Sequence, residues 1–171
     1  MSKTKNSLIL LNGKEYQLTP GKYGELQFAL LTKFVPRFAP GATPLYMSDD
    51  ANKLLIYERE QLEKQGVPTI AHSQLPDIIL FQEIRNWLYL IQIVAPGSNG
   101  PVSHERRQEL ERILADCSAE RIYLSVFQKL IDFARYAANI AYESHIWLAS
   151  RPEHMIHYNG DKFLGPHKRD P

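Results

Sequence analysis

The chain has 171 residues, of which 44% are hydrophobic and 23% charged, and its formal net charge at pH 7 is +1. These values predict one globular domain over residues 1–171 and exclude the strong overall positive field that many nucleic-acid-binding domains carry. The single cysteine, Cys117, excludes an internal disulfide and fits a reducing cytoplasm. The apolar run near the N-terminus is too short for a signal peptide or a membrane span, so we expect a cytoplasmic protein without membrane contact.

Apolar periodicity and turn residues predict alternating helices and strands, without internal repeats. In chain order we predict a helix from about 20 to 34, strands near 45–47 and 54–57, a helix over 58–65, strands over 77–81 and 87–94, a helix over 103–115, a strand over 121–127, a helix over 129–143, a strand over 145–149 and a hairpin turn at 159–160. This order of a helix, an antiparallel meander and two strand–helix crossings predicts an α/β sandwich with a mixed sheet.

Two of the helix predictions depend on particular residues. Thr19 and Pro20 are the N-cap and first-turn residues that helices favour, so the first helix is expected to begin there. Ser103 is the expected cap of the helix over 103–115. In the helix over 129–143, Leu130 and Phe133 are expected to point inward.

Residues 87–94 are apolar on both faces of the predicted strand, apart from Gln92. A strand that is apolar on both faces is expected to lie in the centre of a sheet, covered on both sides. A buried glutamine is unfavourable unless its amide is hydrogen-bonded or coordinates an ion. Gln92 is therefore either a core glutamine bonded to backbone or part of a metal site.

Asp77 lies at the end of the neighbouring predicted strand, next to Gln92. A carboxylate at a strand end beside a polar residue of the next strand is an arrangement in which many nucleases hold Mg²⁺. The usual third element is a lysine two residues beyond the second polar group, and Val94 occupies that position. The alternative is that Asp77 only caps a strand.

Residues 18–166 resemble the catalytic domain of the BsuBI/PstI type II restriction endonucleases, a branch of the PD-(D/E)XK nuclease superfamily. The resembling segments are PGKYGELQ (20–27), PRFAPGA (36–42), LYMSDDANK (45–53), QLPD (74–77), NWLYLIQIV (86–94), NGPVS (99–103), AYESHIW (141–147) and PEHMIHYNGDKFLGP (152–166). The resemblance implies a restriction-endonuclease-like α/β/α sandwich with a mixed central sheet. It also implies an enzyme that cleaves double-stranded DNA with Mg²⁺ or Mn²⁺.

Carried over by position, the resemblance implies that Asp77 holds the metal ion and that Glu25 completes the metal shell from the first helix. Gln92 stands where the family has glutamate, and glutamine also occurs there in Mrr-like branches of the superfamily. Glu143 matches a further acidic position of the family. For Glu25 the alternative is a surface residue favoured by the helix dipole, and for Glu143 a solvated residue at a helix end.

The positive charge that stabilises the transition state is not evident, because the loop over 95–101 replaces the family's turn and Glu105 aligns with its lysine. Lys53 survives from the family's pattern and is the candidate for this role. Arg106 and Arg107 open a helix and are candidates for phosphate contacts, although surface arginines are more often only solvated. Asp49 fits the family pattern but also reads as a turn residue.

Family members have an additional N-terminal DNA-recognition region, which we expect to be absent from this chain, so a separate recognition subunit is a possible partner. Cutting both strands of a duplex predicts a symmetric homodimer. The sequence thus favours a Mg²⁺-dependent endonuclease of a restriction–modification or phage-defence system. The alternative is a catalytically inactive nuclease fold that binds DNA or regulates a partner, which Gln92 and the missing lysine would support.

Overall fold

The computed structural model describes residues 8–11, 13–49, 54–70 and 72–159. In these residues a mixed seven-stranded sheet is covered by helices on both faces. This confirms the predicted α/β/α sandwich with a mixed central sheet. No helix among the described residues is long and apolar enough to cross a membrane.

The secondary structure follows the predicted order closely. The strands are β1 (Leu8–Leu11), β2 (Lys14–Gln17), β3 (Thr43–Met47), β4 (Ile56–Tyr57), β5 (Ile78–Gln82), β6 (Trp87–Ile93), β7 (Glu120–Phe127), β8 (Ser144–Leu148) and β9 (Met155–Tyr158). The helices are α1 (Lys22–Ala29), α2 (Val35–Phe38), α3 (Arg59–Lys64), α4 (His104–Ile113) and α5 (Leu130–Ala134).

The strand order of the large sheet is β4-β3-β5-β6-β7-β8-β9. Strands β6, β7 and β8 are parallel, and α4 and α5 lie in the two connections between them. The other pairs of this sheet are antiparallel. Strands β1 and β2 form a separate antiparallel pair.

Alternating residues of the central strands build two separate apolar layers. On one face, Tyr89, Ile91 and Ile93 of β6 pack in the cluster that contains residues of α1 and α2. On the other face, Leu88 and Leu90 pack in the cluster that contains residues of α3 and α4. This burial on both faces confirms that β6 is a central strand.

The first helix differs from its prediction at both ends. It begins at Lys22 rather than at Pro20, and the Thr19 hydroxyl donates to the Asp49 carboxylate, 3.0 Å away, instead of capping the helix. The helical path continues past Phe34 to Phe38 through a π-helical turn over Leu30–Phe34. Val35 follows this turn directly, and Pro36 lies in the first turn of α2, where its missing N–H breaks the fewest helical hydrogen bonds.

The predicted helix over 129–143 is wrong. Helix α5 ends at Ala134 and only a short 3₁₀ turn, Ala137–Asn139, follows it. Ile140 leaves the helical path because it forms a β-bridge with Ser103. Leu130 is 56% exposed rather than inward, whereas Phe133 packs on the Phe127 ring as predicted. The hairpin predicted at 159–160 extends outside the described residues.

Candidate active site

Chain direction brings three strand ends to one edge of the sheet. Strand β5 runs antiparallel to both β3 and β6, so its first residues lie beside the last residues of those strands. Asp77 directly precedes β5, and Ser48 and Asp49 directly follow β3. Open α/β sheets bind ligands beyond the carboxyl ends of their parallel strands. The edge that carries Ser48, Asp49 and Asp77 is the carboxyl end of the parallel strands β6 and β7.

Asp77 is held rigidly at this edge. Its Oδ2 atom accepts a hydrogen bond from the backbone N–H of Ile93, 2.8 Å away, and its own carbonyl accepts one from the Ser48 N–H at 2.9 Å. The side chain is only 7% exposed. Burial raises the pKa of the Asp77 carboxyl to about 6, against the lowering effects of the Ile93 N–H, Tyr23 and Arg106. Asp77 is therefore a fixed carboxyl group whose charged form is disfavoured by burial.

Helix α1 supplies two polar side chains that support the end of β3. The Tyr23 hydroxyl lies 2.7 Å from the Ser48 hydroxyl, which in turn donates to the Asp77 carbonyl at 3.2 Å. Gln27 donates from Nε2 to the Ser48 carbonyl at 2.5 Å, and its buried Oε1 atom has no partner among the described residues. Burial, followed by the charge of Asp77, raises the pKa of Tyr23, so its hydroxyl stays protonated.

Asp49 is a second buried carboxylate at the same edge, 3% exposed. One of its oxygens, Oδ2, accepts from the Thr19 hydroxyl at 3.0 Å. The other, Oδ1, is buried and has no hydrogen-bond partner among the described residues. An unpaired buried carboxylate oxygen is costly unless a ligand meets it.

Gln92 is almost completely buried, with 1% exposure, in the strand beside Asp77. Ile78 pairs with Ile91, so the antiparallel register continued by one residue sets Asp77 opposite Gln92. The Nε2 atom of Gln92 donates to the Gly100 carbonyl at 3.2 Å, while its Oε1 atom is buried without a partner in the described part of the chain. The amide nitrogen of Gln92 thus holds the loop that follows β6, while its amide oxygen makes no hydrogen bond to the described residues.

A pocket of about 310 Å³ opens at this edge. Its walls come from α1, the ends of β3, the segment before β5 and the loop after β6. The described residues that line it are Tyr23, Tyr46, Ser48, Asp49, His72, Ser73, Leu75, Pro76, Asp77, Pro96, Gly97, Ser98 and Asn99. Gln92 and Glu25 are not among these lining residues.

The other predicted site residues in the described part of the chain do not line this pocket. Glu25 is exposed on α1, in its first turn. Lys53 lies outside the described residues. Val94, at the position of the superfamily's lysine, is 7% exposed and packs in a third apolar cluster with Phe127 and Ile140.

Arg106 does not project into solvent. Its guanidinium donates to the Leu75 carbonyl at 2.9 Å and to the Glu109 carboxylate at 2.8 Å, and its side chain is 16% exposed. The N–H of Arg106 also donates to Ser103 Oγ at 3.1 Å, which confirms Ser103 as the cap of α4. Arg106 therefore fixes the segment that leads to Asp77.

Arg107 and Glu143 contact each other rather than the pocket. The Arg107 guanidinium donates to the Glu143 carboxylate at 2.7 Å and lies over the Tyr123 ring, with 5.6 Å between the guanidinium carbon and the ring centroid. Glu143 has a φ of 60°, a left-handed conformation in the turn before β8. The two residues tie α4 to this turn.

The donor set fits a hard divalent cation. Asp77 and Asp49 line the pocket and supply carboxylates. Gln92 does not line the pocket, and its buried Oε1, which has no partner among the described residues, is a further oxygen in the strand beside Asp77. Mg²⁺ usually takes one or two carboxylates from a protein and completes its shell with water and phosphate oxygens. No group of three or more His, Cys, Asp and Glu side chains suited to a metal is found in the described ranges.

Sequence reasoning did not place Tyr23, Gln27, Ser48 or His72 at the site. The signal for Gln27 is its spacing, because it lies four residues after Tyr23 on a helix whose other inward residues are apolar. Ser48 carries no comparable local signal, because only the pairing of β3 with β5 brings it to Asp77. His72 precedes Asp77 in the same short segment, so its closeness in the chain was the available signal.

Comparison with known proteins shows the family to which this chain belongs. The model of the BsuBI/PstI restriction endonuclease domain matches residues 7–161. The chain belongs to this family.

Relatives support the same assignment. The chain is 36% identical over 159 residues to the type II restriction enzyme BsuBI of Bacillus subtilis, covering 93% of this chain and 50% of that protein. It is 32% identical over 89 residues to the type II restriction enzyme AplI of Arthrospira platensis, covering 52% of this chain and 27% of that protein. The chain therefore spans about half or less of the length of these relatives.

A solved structure shares the fold. The SdaI restriction endonuclease superposes with a TM-score of 0.84 at 32% sequence identity, over 95% of this chain and 51% of that chain. Family membership and this likeness together show that the sheet edge described above belongs to a restriction-endonuclease fold.

Proposed function

We propose that this chain is the nuclease domain of a restriction-system endonuclease that hydrolyses phosphodiester bonds of double-stranded DNA with Mg²⁺ or Mn²⁺. The observation that carries the proposal is the fixed, buried Asp77 carboxylate in a pocket shared with Asp49. Gln92, opposite Asp77 in the register, has an amide oxygen without a hydrogen-bond partner among the described residues. Membership of the BsuBI/PstI family supports the reaction class.

In this proposal Asp77 and Asp49 are the anionic donors and Gln92 is a neutral one. A divalent ion held there supplies charge neutralisation at the scissile phosphate and favours a nucleophilic water. Tyr23 and Ser48 keep the end of β3 in place beside Asp77, so the donors need no rearrangement when the ion binds. Glu25 is exposed, so in our proposal Asp49 rather than Glu25 provides the second carboxylate.

The contacts of the two arginines lead us to propose different roles for them. Arg106 is committed to Leu75 and Glu109, so we propose that it positions the Asp77 segment instead of binding DNA. Arg107 is 26% exposed and could exchange Glu143 for a phosphate. Lys53 stays a candidate for the cationic role that the family's lysine would fill.

The wider assembly is also a proposal. A duplex cut on both strands is matched by a symmetric homodimer, and in this proposal target recognition rests with a separate subunit or region. We place this activity in the cytoplasm, where foreign DNA would be met and where Cys117 would remain reduced.

The second candidate is a catalytically inactive nuclease fold that binds DNA or regulates a partner. The specific observation in its favour is that Gln92 is neutral and already uses its amide nitrogen to hold Gly100. A neutral ligand weakens a hard-cation site relative to a carboxylate.

Plasmid cleavage separates the two candidates. Purified protein is incubated with supercoiled plasmid and Mg²⁺ or Mn²⁺, beside Asp77→Ala and Gln92→Glu. Cleavage by the wild-type protein that Asp77→Ala abolishes supports the enzyme. An inert wild-type protein whose activity is restored by Gln92→Glu supports the inactive subunit. If both are inert but bind DNA with a steep salt dependence, DNA binding is the remaining function.

A further inference from the structure

No lysine or arginine is among the described residues that line the pocket around Asp77. The position of the superfamily's lysine is taken by Val94, whose side chain is packed in the core. Among the described residues that line the pocket, His72 is the only one with a basic side chain. Hydrolysis of a phosphodiester needs a group that takes the proton of the attacking water, so the identity of this basic residue matters.

The His72 ring is held in a defined orientation by two tyrosines. It stacks on the Tyr46 ring, with centroids 5.9 Å apart and planes 21° apart, and it meets the Tyr57 ring edge-on at 5.3 Å. Tyr46 and Tyr57 are paired across β3 and β4, so the sheet itself fixes this platform. Aromatic packing orients the imidazole plane through its faces and edges and does not consume the hydrogen-bonding capacity of its nitrogens.

The backbone around His72 is fixed as well. His72–Gln74 form a 3₁₀ turn, and the Leu75 N–H donates to the His72 carbonyl at 3.1 Å. The Leu75 carbonyl is in turn held by Arg106 at 2.9 Å. The same short segment therefore carries both an exposed imidazole and the buried Asp77 carboxylate into one pocket.

We infer that His72 is a catalytic residue of the proposed nuclease reaction, the one that accepts the proton of the attacking water. The inference rests on the proposed function. As the water oxygen forms its bond to phosphorus, one ring nitrogen of neutral His72 takes a water proton, and the bond from phosphorus to the leaving sugar oxygen breaks. The sugar oxygen takes a proton from solvent, and the imidazolium returns its proton to solvent. The products are a phosphomonoester and a sugar hydroxyl.

Substitution and chemical rescue test this role in the whole chain. His72→Ala and His72→Gln are compared with wild type in plasmid cleavage with Mg²⁺, and His154→Ala, an exposed histidine outside the pocket lining, is the matched control. We expect His72→Ala and His72→Gln to lower the cleavage rate by roughly 10²–10⁴-fold, the usual contribution of general acid–base catalysis. Added imidazole should restore part of the His72→Ala rate, in proportion to its unprotonated fraction.

A second readout does not depend on cleavage. Affinity for a short DNA duplex is measured in Ca²⁺ for the same variants, and it is expected to change by less than about twofold, because a proton acceptor acts on the reacting water rather than on DNA binding. The ring-nitrogen NMR signals of His72 are expected to shift when that duplex is added, whereas those of His154 should not.

Three results would overturn the inference while leaving the proposed function intact. The first is full cleavage activity of His72→Ala. The second is a loss of cleavage activity in His72→Ala that is matched by an equal loss of DNA affinity. The third is full activity of His72→Lys together with rescue of His72→Ala by the protonated form of imidazole, which would make His72 a phosphate-binding cation. An inert wild-type protein would overturn both the inference and the proposed function.

Discussion

The carboxylate of Asp77 accepts a hydrogen bond from the backbone N–H of Ile93 across 2.8 Å, and this bond joins the start of β5 to the end of β6. The Asp77 side chain thereby accepts from a backbone N–H at the point where the backbone hydrogen bonds between β5 and β6 end. The bond fixes the direction of the carboxylate before any ligand is present. Such preorganisation reduces the rearrangement that ion binding and catalysis require.

The first prediction concerns the charge of Asp77. Asp77→Asn keeps the size of the side chain and an oxygen that can accept from Ile93, but it removes the negative charge. We expect plasmid cleavage to fall by on the order of 10³-fold, because metal-assisted stabilisation of the transition state is worth several kcal/mol. Asp116→Asn, an exposed carboxylate outside the pocket lining, is the control. Equal cleavage activity of the two variants would show that Asp77 does not belong to the catalytic site.

The pH dependence of stability provides a second prediction. Burial raises the Asp77 pKa from 3.8 to about 6, so between these values the folded state binds a proton that the unfolded chain does not. The Asp77 contribution to the free energy of unfolding of the metal-free protein should therefore increase as pH falls through 6. At pH 7.5 the buried charge of Asp77 lowers the free energy of unfolding. Asp77→Asn removes this charge and should therefore be about 1–3 kcal/mol more stable than wild type at pH 7.5.

Urea unfolding at pH 7.5 and pH 5 measures this difference in the absence of divalent ions. The difference in the free energy of unfolding between wild type and Asp77→Asn should be smaller at pH 5 than at pH 7.5. A difference that stays constant between the two pH values would contradict the raised pKa.

A third prediction follows from the two ends of the Gln92 amide. Gln92→Glu removes the donor to the Gly100 carbonyl and adds a carboxylate, so the metal-free protein should be less stable by roughly 1–3 kcal/mol. Mn²⁺ should raise the melting temperature of Gln92→Glu more than that of wild type, because a ligand stabilises in proportion to its affinity. Gln92→Leu, which loses the same donor without gaining charge, is the control, and Mn²⁺ should raise its melting temperature no more than that of wild type.

The adjacent arginines of α4 provide a fourth prediction. Arg106→Ala leaves the Leu75 carbonyl without its donor beside the pocket and should cost about 1–3 kcal/mol of unfolding free energy. Arg107→Ala breaks a partly exposed ion pair with Glu143, which is 64% exposed, and should cost at most about 1 kcal/mol. Urea denaturation of the two variants compares these costs directly. A larger cost for Arg107→Ala would contradict the assigned role of Arg106.

The fifth prediction concerns the pair formed by His145 and His157 across β8 and β9. Their Nδ1 atoms lie 2.7 Å apart, and burial followed by His157 lowers the pKa of His145. The unfolded chain then binds a proton more readily than the folded state, so this contribution to stability is lost as pH falls through the ordinary range of histidine.

His145→Gln in the Asp77→Asn background isolates this effect, because the opposite trend of the carboxyl is then absent. The double variant should lose less stability between pH 7.5 and 5.5 than Asp77→Asn alone, as measured by urea unfolding. Identical losses would show that the histidine pair does not titrate with folding.

The sequence alone determined the sheet and its central strands. Residues 87–93 are apolar on both faces apart from Gln92, and a strand of this kind is buried in the middle of a covered sheet, so its place followed from local composition. Ser103 capped its helix as predicted, through a bond to the nearby Arg106 N–H. Thr19 did not cap the first helix, because its hydroxyl donates to Asp49, which is distant in the chain. The helix over 129–143 failed because a β-bridge between Ser103 and Ile140, distant in the chain, competed with its continuation.

Only the tertiary structure decided which side chains meet at Asp77. The rotation of α1 turns Tyr23 and Gln27 toward Ser48 and leaves Glu25 exposed, and no periodicity in the sequence specifies that choice. The position of His72 depends on aromatic packing against β3 and β4. Patterns along a chain encode which residues are buried, whereas an active site depends on angles and registers between segments, which are set when the whole core packs.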